Sequence, residues 1–511
     1  IAFDTSGVTT MNSMFSGAAA FNNGELGNTG AAPLTLTTGN VRSLDDMFKQ
    51  ATSFNQTIVF SDTSKATMGE MFFAASAFNN GGGVNPLTWD TSAATSFSAM
   101  FYNTAAFNQQ VAFTNTSNVQ YMSAMFALAR QFNNGVLGNV SGVPLAFSTS
   151  KLVDTGYMFQ QCVSFNQELL FSDTTTLQTA TSMFSGCTLF NNGDVTNAGL
   201  KQIVWATPAL QTIDYMFTNC GAFNQTINFS DTTKITAVDL MFQNATVFNN
   251  GDITNSGLKP LVWTTTSLLS ASSLFNNSTA FNQTVTFSDV SRVASLAYMF
   301  DGATLFNNGA TSDVGGRQLS FATTTSALTN ANSMFNNCAA FNQTVTFGST
   351  AGVTTFYQMF ANASIFNNGD VGDLSGHPMT FTTTTALLNL SQMFASCSVF
   401  NQSVSFSTTA GVTAMSYMFQ YASVFNKAVA FDDTSSVTTM NSMFYGATAF
   451  NNGEVGNTGA APLAFNTGNV ASLDSMFRDA NSFNQHLVLS DASKATMGFM
   501  FSGGAAFNNG N

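Results

Sequence analysis

Apolar and polar positions alternate in two rhythms that succeed one another along the whole chain. In Phe341-Asn342-Gln343-Thr344-Val345-Thr346-Phe347, Val345 and Phe347 alternate with Thr344 and Thr346. That period of two predicts a strand with one buried face, and the β-branched residues favour extended backbone. A polar turn follows, clearest at Ser61-Asp62-Thr63-Ser64. The rhythm then changes. Met440, Met443, Phe444 and Ala447 fall at i, i+3, i+4 and i+7, which predicts one apolar face of a short helix, with Gly446 as its stop.

This strand-turn-helix unit recurs. Met-Phe, once Leu-Phe, occurs eighteen times, from Met14-Phe15 to Met500-Phe501, each followed about six residues later by Phe-Asn. Self-similarity at such a period predicts a solenoid. Steps of about 25 residues alternate with steps of about 33. Phe-Asn-Gln precedes the short steps, as at Phe165-Asn166-Gln167, and Phe-Asn-Asn-Gly precedes the long ones, as at Phe190-Asn191-Asn192-Gly193. The extra residues make a Gly/Asn/Asp-rich loop, so loops are expected on one face of alternate rungs. The alternation breaks once, at Phe425-Asn426-Lys427, where a long rung is due and a short one stands.

The expected fold is an α/β solenoid of about 18 rungs, leucine-rich-repeat-like, with a parallel sheet on one face and short helices on the other. Residues 1–511 read as one continuous solenoid. Asp4 to Gly81 aligns without gaps to Asp433 to Gly510, with roughly three quarters of positions alike. Residues 4–432 therefore read as one fifteen-rung block and 433–511 as the start of a near-duplicate. The chain reads as a length of a longer array, because neither end carries the polar cap of a solenoid terminus.

Composition narrows the function classes. Charged residues are only 8% of the chain and the net charge is −13, so no basic stripe exists to neutralise phosphates and nucleic acid is not an expected partner. No apolar run approaches the ~20 residues that span a bilayer. With 53 Phe and 24 Met, the Met-Phe stripe reads as core. The two histidines, His377 and His486, lie far apart, and no nucleophile or phosphate-cradling motif breaks the repeat. Catalytic and cofactor-binding residues are therefore not assigned, and no enzyme is expected.

Other residues invite a role. The Asn of Phe-Asn (Asn22, Asn55, Asn108, Asn166, Asn224, Asn282, Asn342, Asn401) recurs in every rung and is expected to form a buried ladder, each amide bonding to its neighbours or to the turning backbone. Cys162, Cys187, Cys220, Cys338 and Cys397 all sit three residues after the Phe of Met-Phe, where most rungs have Ala. They read as buried thiols. A disulfide among the first three requires Cα atoms within about 7 Å. The loops carry Glu25, Asp194, Asp252, Asp370 and Glu454, accompanied by Asn28, Asn197, Asn255, Asp373 and Asn457. These are calcium candidates, short of the six to eight oxygens calcium prefers unless adjacent loops share an ion. Glycosylation sequons at Asn115, Asn139, Asn244, Asn277 and Asn362 are expected to be exposed, whereas those on the ladder (Asn55, Asn224, Asn282, Asn342, Asn401) are expected to be blocked.

Trp89-Asp90-Thr91-Ser92, Met100-Phe101 and Phe107-Asn108-Gln109 together resemble the Mycoplasma-lipoprotein type of repeat of the BspA-like leucine-rich-repeat surface proteins, as does Asp433-Thr434-Ser435-Ser436-Val437-Thr438. The family's Trp is mostly Phe here (Phe60, Phe171, Phe229, Phe287), and the long loops are additions. The resemblance implies a secreted or cell-surface protein of adhesion or surface coating, without known catalysis. The leading expectation is an extracellular structural protein that self-associates into a fibre or surface layer. The alternative is an adhesin-type module that binds protein or glycan. The monotony of exposed Thr, Ser and Asn favours the first.

Overall fold

The computed structural model describes residues 4–27, 30–140, 142–312, 316–321, 327–372, 376–382, 384–456 and 458–511. Two compact units, Ile1–Ile253 and Thr254–Asn511, hold nine Met-Phe or Leu-Phe rungs each. Each unit is a parallel β-solenoid.

Among the described residues there are fourteen strands of three residues, paired in parallel two by two. The strand reached through a long loop pairs with the strand of the next short rung. Leu34–Leu36 lies on Ile58–Phe60 with Leu34 opposite Ile58, and Leu261–Trp263 lies on Val285–Phe287 with Leu261 opposite Val285. The alternation Leu-Thr-Leu buries the two leucines and exposes the threonine, as the period of two dictates.

The expected continuous sheet is thus divided into two-stranded pieces. Its interruption traces to the second Asn of Phe-Asn-Asn-Gly. The main-chain N–H of Ile58, on the far side of the short-rung strand, donates to Asn80 Oδ1 at 2.9 Å, and that of Val345 donates to Asn368 Oδ1 at 3.1 Å. A side chain stands where the next strand would be, which satisfies the buried donor without a ladder.

The expected helices on the opposite face are corrected. Among the described residues the single helical element is the 3-10 turn Thr116–Asn118. The Met-Phe segments are runs of tight turns. In the first unit, Leu44, Asp46, Phe48 and Gln50 donate their N–H groups to Thr67, Gly69, Met71 and Phe73 of the next rung at 2.7–3.0 Å, while Met47, Lys49 and Ala51 donate three residues back to Leu44, Asp46 and Phe48. In the second unit Ser442, Phe444 and Gly446 bond in the same way to Asp474, Met476 and Arg478. A helix would use all these donors within the rung; here every second one links rungs. The backbone turns left-handed two residues before and two residues after the Phe of each Met-Phe or Leu-Phe pair, as at Asp46 (φ 55°) and Gln50 (φ 59°).

The burial expected of a helix face is nevertheless present, because successive tight turns return side chains inward at i, i+3, i+4 and i+7. Met440, Met443, Phe444 and Ala447 are all buried. The core is two columns of near-parallel phenylalanine rings. One is the Phe of Met-Phe, with centroids 5.5 Å apart at Phe184–Phe217 and 5.3 Å at Phe335–Phe360. The other is the Phe of Phe-Asn, 5.7 Å apart at Phe165–Phe190 and at Phe341–Phe366. The offset-stacked geometry is the favourable one for aromatic pairs.

The turn reading has a sign that tests it. Ala124 is left-handed (φ 53°), a conformation that strains an L-residue by roughly 1–2 kcal/mol. Ala124→Gly relieves that strain while adding unfolded-state entropy, so stability is expected to hold or to rise by about 1 kcal/mol. The same change inside a helix would remove about 1 kcal/mol. Urea unfolding of the two proteins separates the cases. Among the described residues no helix is long and apolar enough to cross a membrane.

Candidate functional site

The repeated loop face carries most of the polar chemistry, and its foundation is the Phe-Asn column. Each Asn Oδ1 accepts the main-chain N–H of the equivalent Asn one rung on. In the first unit Asn22 accepts from Asn55, Asn108 from Asn133, Asn166 from Asn191 and Asn224 from Asn249, at 2.8–2.9 Å. In the second, Asn282 accepts from Asn307, Asn342 from Asn367 and Asn401 from Asn426, all at 2.8 Å. The column is a side-chain to main-chain ladder. Its Nδ2 groups reach the loops instead, as Asn108 to the Val136 carbonyl and Asn342 to the Asp370 carbonyl, both at 3.0 Å.

Gln of Phe-Asn-Gln explains the alternation of long and short rungs. Its Oε1 accepts a main-chain N–H at the base of the preceding long loop. The pairs are Ala32 with Gln56, Asn85 with Gln109, Lys201 with Gln225 and Ala461 with Gln485, each at 2.8 Å. Its Nε2 donates to the Asn Oδ1 of the long rung, as from Gln225 to Asn191 at 2.9 Å and from Gln343 to Asn307 at 2.9 Å. Each long loop is therefore clasped by the following short rung. Lys427 breaks the pattern where no clasp is required, because the rung before it is short and has no loop.

Successive loops also meet. A Cβ at Gly199 (φ 68°) would lie 2.3 Å from the Gly251 carbonyl oxygen, and one at Gly257 (φ 66°) would lie 2.0 Å from that of Gly309. Only glycine permits so close an approach in that conformation.

The loop carboxylates turn inward to hold their own loops. Asp194 Oδ1 accepts the Thr196 N–H at 2.9 Å, and its Oδ2 accepts from Gly199 N at 2.9 Å and Gln225 Nε2 at 3.1 Å. Burial opposes its charge, but the bonds from Thr196, Gln225 and Gly199 outweigh that and hold its carboxyl below the ordinary value. Asp370 Oδ2 accepts from Gln402 at 3.0 Å. Asp252 is buried, and its carbonyl accepts from Asn249 Nδ2 at 3.1 Å. Gln56 donates to Glu25 and Gln485 to Glu454. Asn197 and Asn255 occupy left-handed turn positions; Asn28, Asp373 and Asn457 lie outside the described residues. Among the described residues no three His, Cys, Asp or Glu side chains cluster as a metal site would require.

Acid sensitivity follows from the turn aspartates. Asp62, Asp173, Asp231, Asp289 and Asp491 each accept the N–H two residues ahead at 2.8–2.9 Å, which lowers their pKa. Bonds from Thr458 and Gln485 bring Glu454 down to about 2. A folded pKa below the unfolded one gives stability that is complete above the unfolded value, about 4 for carboxyls, and lost as pH falls through the folded one. Burial raises the pKa of Asp214 and Asp301, so these two act in the opposite sense. The melting temperature is expected to be level between about pH 5 and pH 8 and to fall steadily below about pH 4, as thermal melts at graded pH would record.

The five cysteines are free and buried. Each thiol donates to a core phenylalanine carbonyl of the preceding rung, Cys162 to Phe126 at 2.8 Å, Cys187 to Phe159 at 2.8 Å and Cys220 to Phe184 at 3.0 Å. Thr104 does the same with Phe72. Burial pushes the thiols well above their ordinary pKa, which suppresses the reactive thiolate. A thiol reagent is expected to label none of the five in the native protein and all five after denaturation, counted by mass spectrometry.

Of the sequon asparagines, Asn115, Asn139, Asn277 and Asn362 are exposed and Asn244 is half-buried against Asn219. Asn244, Asn277 and Asn362 stand at left-handed positions, the conformation Asn tolerates best after Gly. The recurrence of Asn and Gly two residues after Met-Phe was the sequence signal for turns. His377 is a loop residue whose N–H bonds to Gln402 Oε1 at 3.1 Å, and His486 accepts from the strand residue Leu463.

A family model described as "Mycoplasma protein of unknown function, DUF285" matches residues 1–85, 83–198, 194–313, 318–406 and 388–511. No curated protein and no solved structure matches the chain. Five tandem matches that take in nearly every rung place the chain in the DUF285 family of Mycoplasma proteins.

Proposed function

We propose that this chain is a structural repeat protein of the cell exterior, one that builds or coats a fibre or surface layer through self-association and carries no catalysis of its own. The observation that carries this reading is the loop ridge. Leu26, Val84, Leu137 and Val455 project from long loops at 107%, 90%, 85% and 99% relative exposure. Apolar loop tips exposed in both units are surface that a monomer rarely leaves to water; Glu25 and Glu454 directly precede Leu26 and Val455, so association of copies is expected to need salt that screens these charges. The motif resemblance to BspA-like surface proteins supports the exterior location, and Mycoplasma membership accords with the lipoprotein-type repeat. Negative-stain electron microscopy of the purified chain tests assembly: filaments or sheets support it, and dispersed single particles at high concentration overturn it. Protease shaving of intact cells tests location.

An adhesin-type reading has one specific observation in its favour. Tyr157 and Tyr215, two rungs apart on the turn face, are 45% and 41% exposed, and exposed tyrosines suit stacking on sugars or on a protein partner. Loss of glycan or host-protein binding in the Tyr157→Ala, Tyr215→Ala double variant would favour it.

A further inference from the structure

Three features of the second unit meet at one joint, between the rung of Met418-Phe419 and the rung of Met443-Phe444. The first is thin coupling on the strand side. Residues 428–431 of the earlier rung form no strand and make no main-chain bond to the main chain of a neighbouring rung. The Val429 N–H donates to Asn452 Oδ1 instead, at 2.9 Å. Nearest-neighbour contacts carry a solenoid's stability, so this joint relies on its core and its turn face.

The second is a strained residue on that turn face. Two residues after the Phe of each Met-Phe or Leu-Phe pair the backbone is left-handed. Tyr421 (φ 57°) is the one aromatic residue in that column, where Asn and Gly are commonest. A bulky side chain in this conformation is an outlier, and such strain gathers where a residue is used.

The third is the partner that strain brings to it. The Tyr421 N–H donates to the Tyr445 carbonyl at 2.7 Å, and the two rings lie 4.9 Å apart at a tilt of 49°. Among the described residues no other two of the nine tyrosines are in ring contact. Gly446 admits the Tyr421 ring, because a Cβ there would collide with it. The Arg478 guanidinium lies over the Tyr445 ring at 5.2 Å, which holds that ring in turn. The hydroxyls come close enough that Tyr445 raises the Tyr421 pKa. Tyr421 is 46% exposed, so a small oxidant reaches it. In the near-duplicate first block the place of Tyr445 is held by Ser16, so the pair belongs to the seam where one block meets the next.

We infer that Tyr421 and Tyr445 are an oxidative cross-linking site, joined as a dityrosine that staples the two blocks. The oxidant is hydrogen peroxide acting through a haem peroxidase. Each phenol gives up its O–H hydrogen, one proton and one electron, and becomes a phenoxyl radical. The two radicals pair in a C–C bond between ring carbons beside the oxygens, and the hydrogens on those carbons move to the oxygens. Two hydrogen atoms leave in all, and one peroxide molecule takes them to become two waters.

The inference goes beyond the structural reading and depends on the exterior location only for its oxidant, so a test on the purified chain stands apart from both. The full chain, dilute and at low salt, is treated with haem peroxidase and hydrogen peroxide, and the monomer fraction is denatured and digested with trypsin. Tyr445 is the one tyrosine of peptide 428–478, and Tyr421 lies in peptide 318–427 with Tyr357 and Tyr417. Mass spectrometry is expected to find these two peptides joined, two hydrogens lighter than their sum. The joined species is expected to fall about tenfold or more in Tyr421→Phe and in Tyr445→Phe, and to persist in Tyr417→Phe. A staple across neighbouring rungs restricts the unfolded chain, so the first melting transition is expected to rise by about 2 °C or more. Links found only between molecules, or a joined species that survives Tyr421→Phe, overturn the site. A joined chain that melts unchanged overturns the staple.

Discussion

Replacing Asn191 with alanine is expected to lower the unfolding free energy by about 2–6 kcal/mol, since two buried donors lose their acceptor at about 1–3 kcal/mol each. Asn191 Oδ1 accepts Asn224 N at 2.8 Å and Gln225 Nε2 at 2.9 Å, and its Nδ2 donates to the Asp194 carbonyl at 3.0 Å. The residue is 2% exposed, so water has no ready access to the orphaned groups. Truncation thus breaks the ladder and releases the loop in one step. Chemical denaturation measures the loss, and hydrogen exchange at Asn224 N–H locates it. An effect no larger than that of the exposed Asn115→Ala would show that the ladder contributes little. The damage is also directional: the ladder runs from side chain to the next rung's main chain, so the rung of Asn224 is expected to exchange faster than that of Asn166.

Phe217→Ala is expected to be at least as severe, at about 3–5 kcal/mol for a large-to-small change in a closed core. The ring is fully buried, 4.1 Å from Phe223 within its rung, 5.5 Å from Phe184 and 5.7 Å from Phe242 in the column. A solenoid's stability is a sum of rungs and nearest-neighbour contacts, so a void in one ring column weakens the coupling of the rungs on either side. Calorimetry is expected to show a lowered melting temperature with a broadened or divided transition. Phe217→Leu, which keeps most of the volume, should restore a large part of the loss. A single sharp transition at the original temperature would count against the rings as the coupling element.

How much of this is written in the sequence depends on the distance over which the cause acts. The recurrence of Met-Phe marks the rungs and the burial of Met440, Met443, Phe444 and Ala447, because apolar spacing reports which side chains turn inward. It misassigns the backbone, because tight turns and a helix return side chains inward at the same spacing. What separates them is where Asp46 N–H and Phe48 N–H find acceptors, and that lies a rung away. The Asn and Gly residues two positions after Met-Phe, such as Asn244, Gly302 and Gly446, carry the local trace of left-handed turns. Gly446 alone admits either reading; the set of them favours turns. The strand triplets are legible, yet their division into pairs is not, since it depends on Asn80 and Asn368 reaching a neighbouring strand edge. On the loop face, Phe-Asn-Gln and Phe-Asn-Asn-Gly are visible as two spellings. Their relation is not, because Gln225 acts on a loop that begins thirty-two residues before it, at Gly193.

That relation governs how such a chain can change length. A long rung without its following glutamine would have an untethered loop, and a glutamine rung without a preceding loop would have a buried amide with nothing to hold. Gain or loss by recombination is therefore neutral mainly in couplets, long with short. The Lys427 rung is the exception that such a rule permits: it follows a short rung, so no loop before it calls for a glutamine. It serves as a spacer, and inserting or deleting it shifts the phase of every loop beyond it by a single rung.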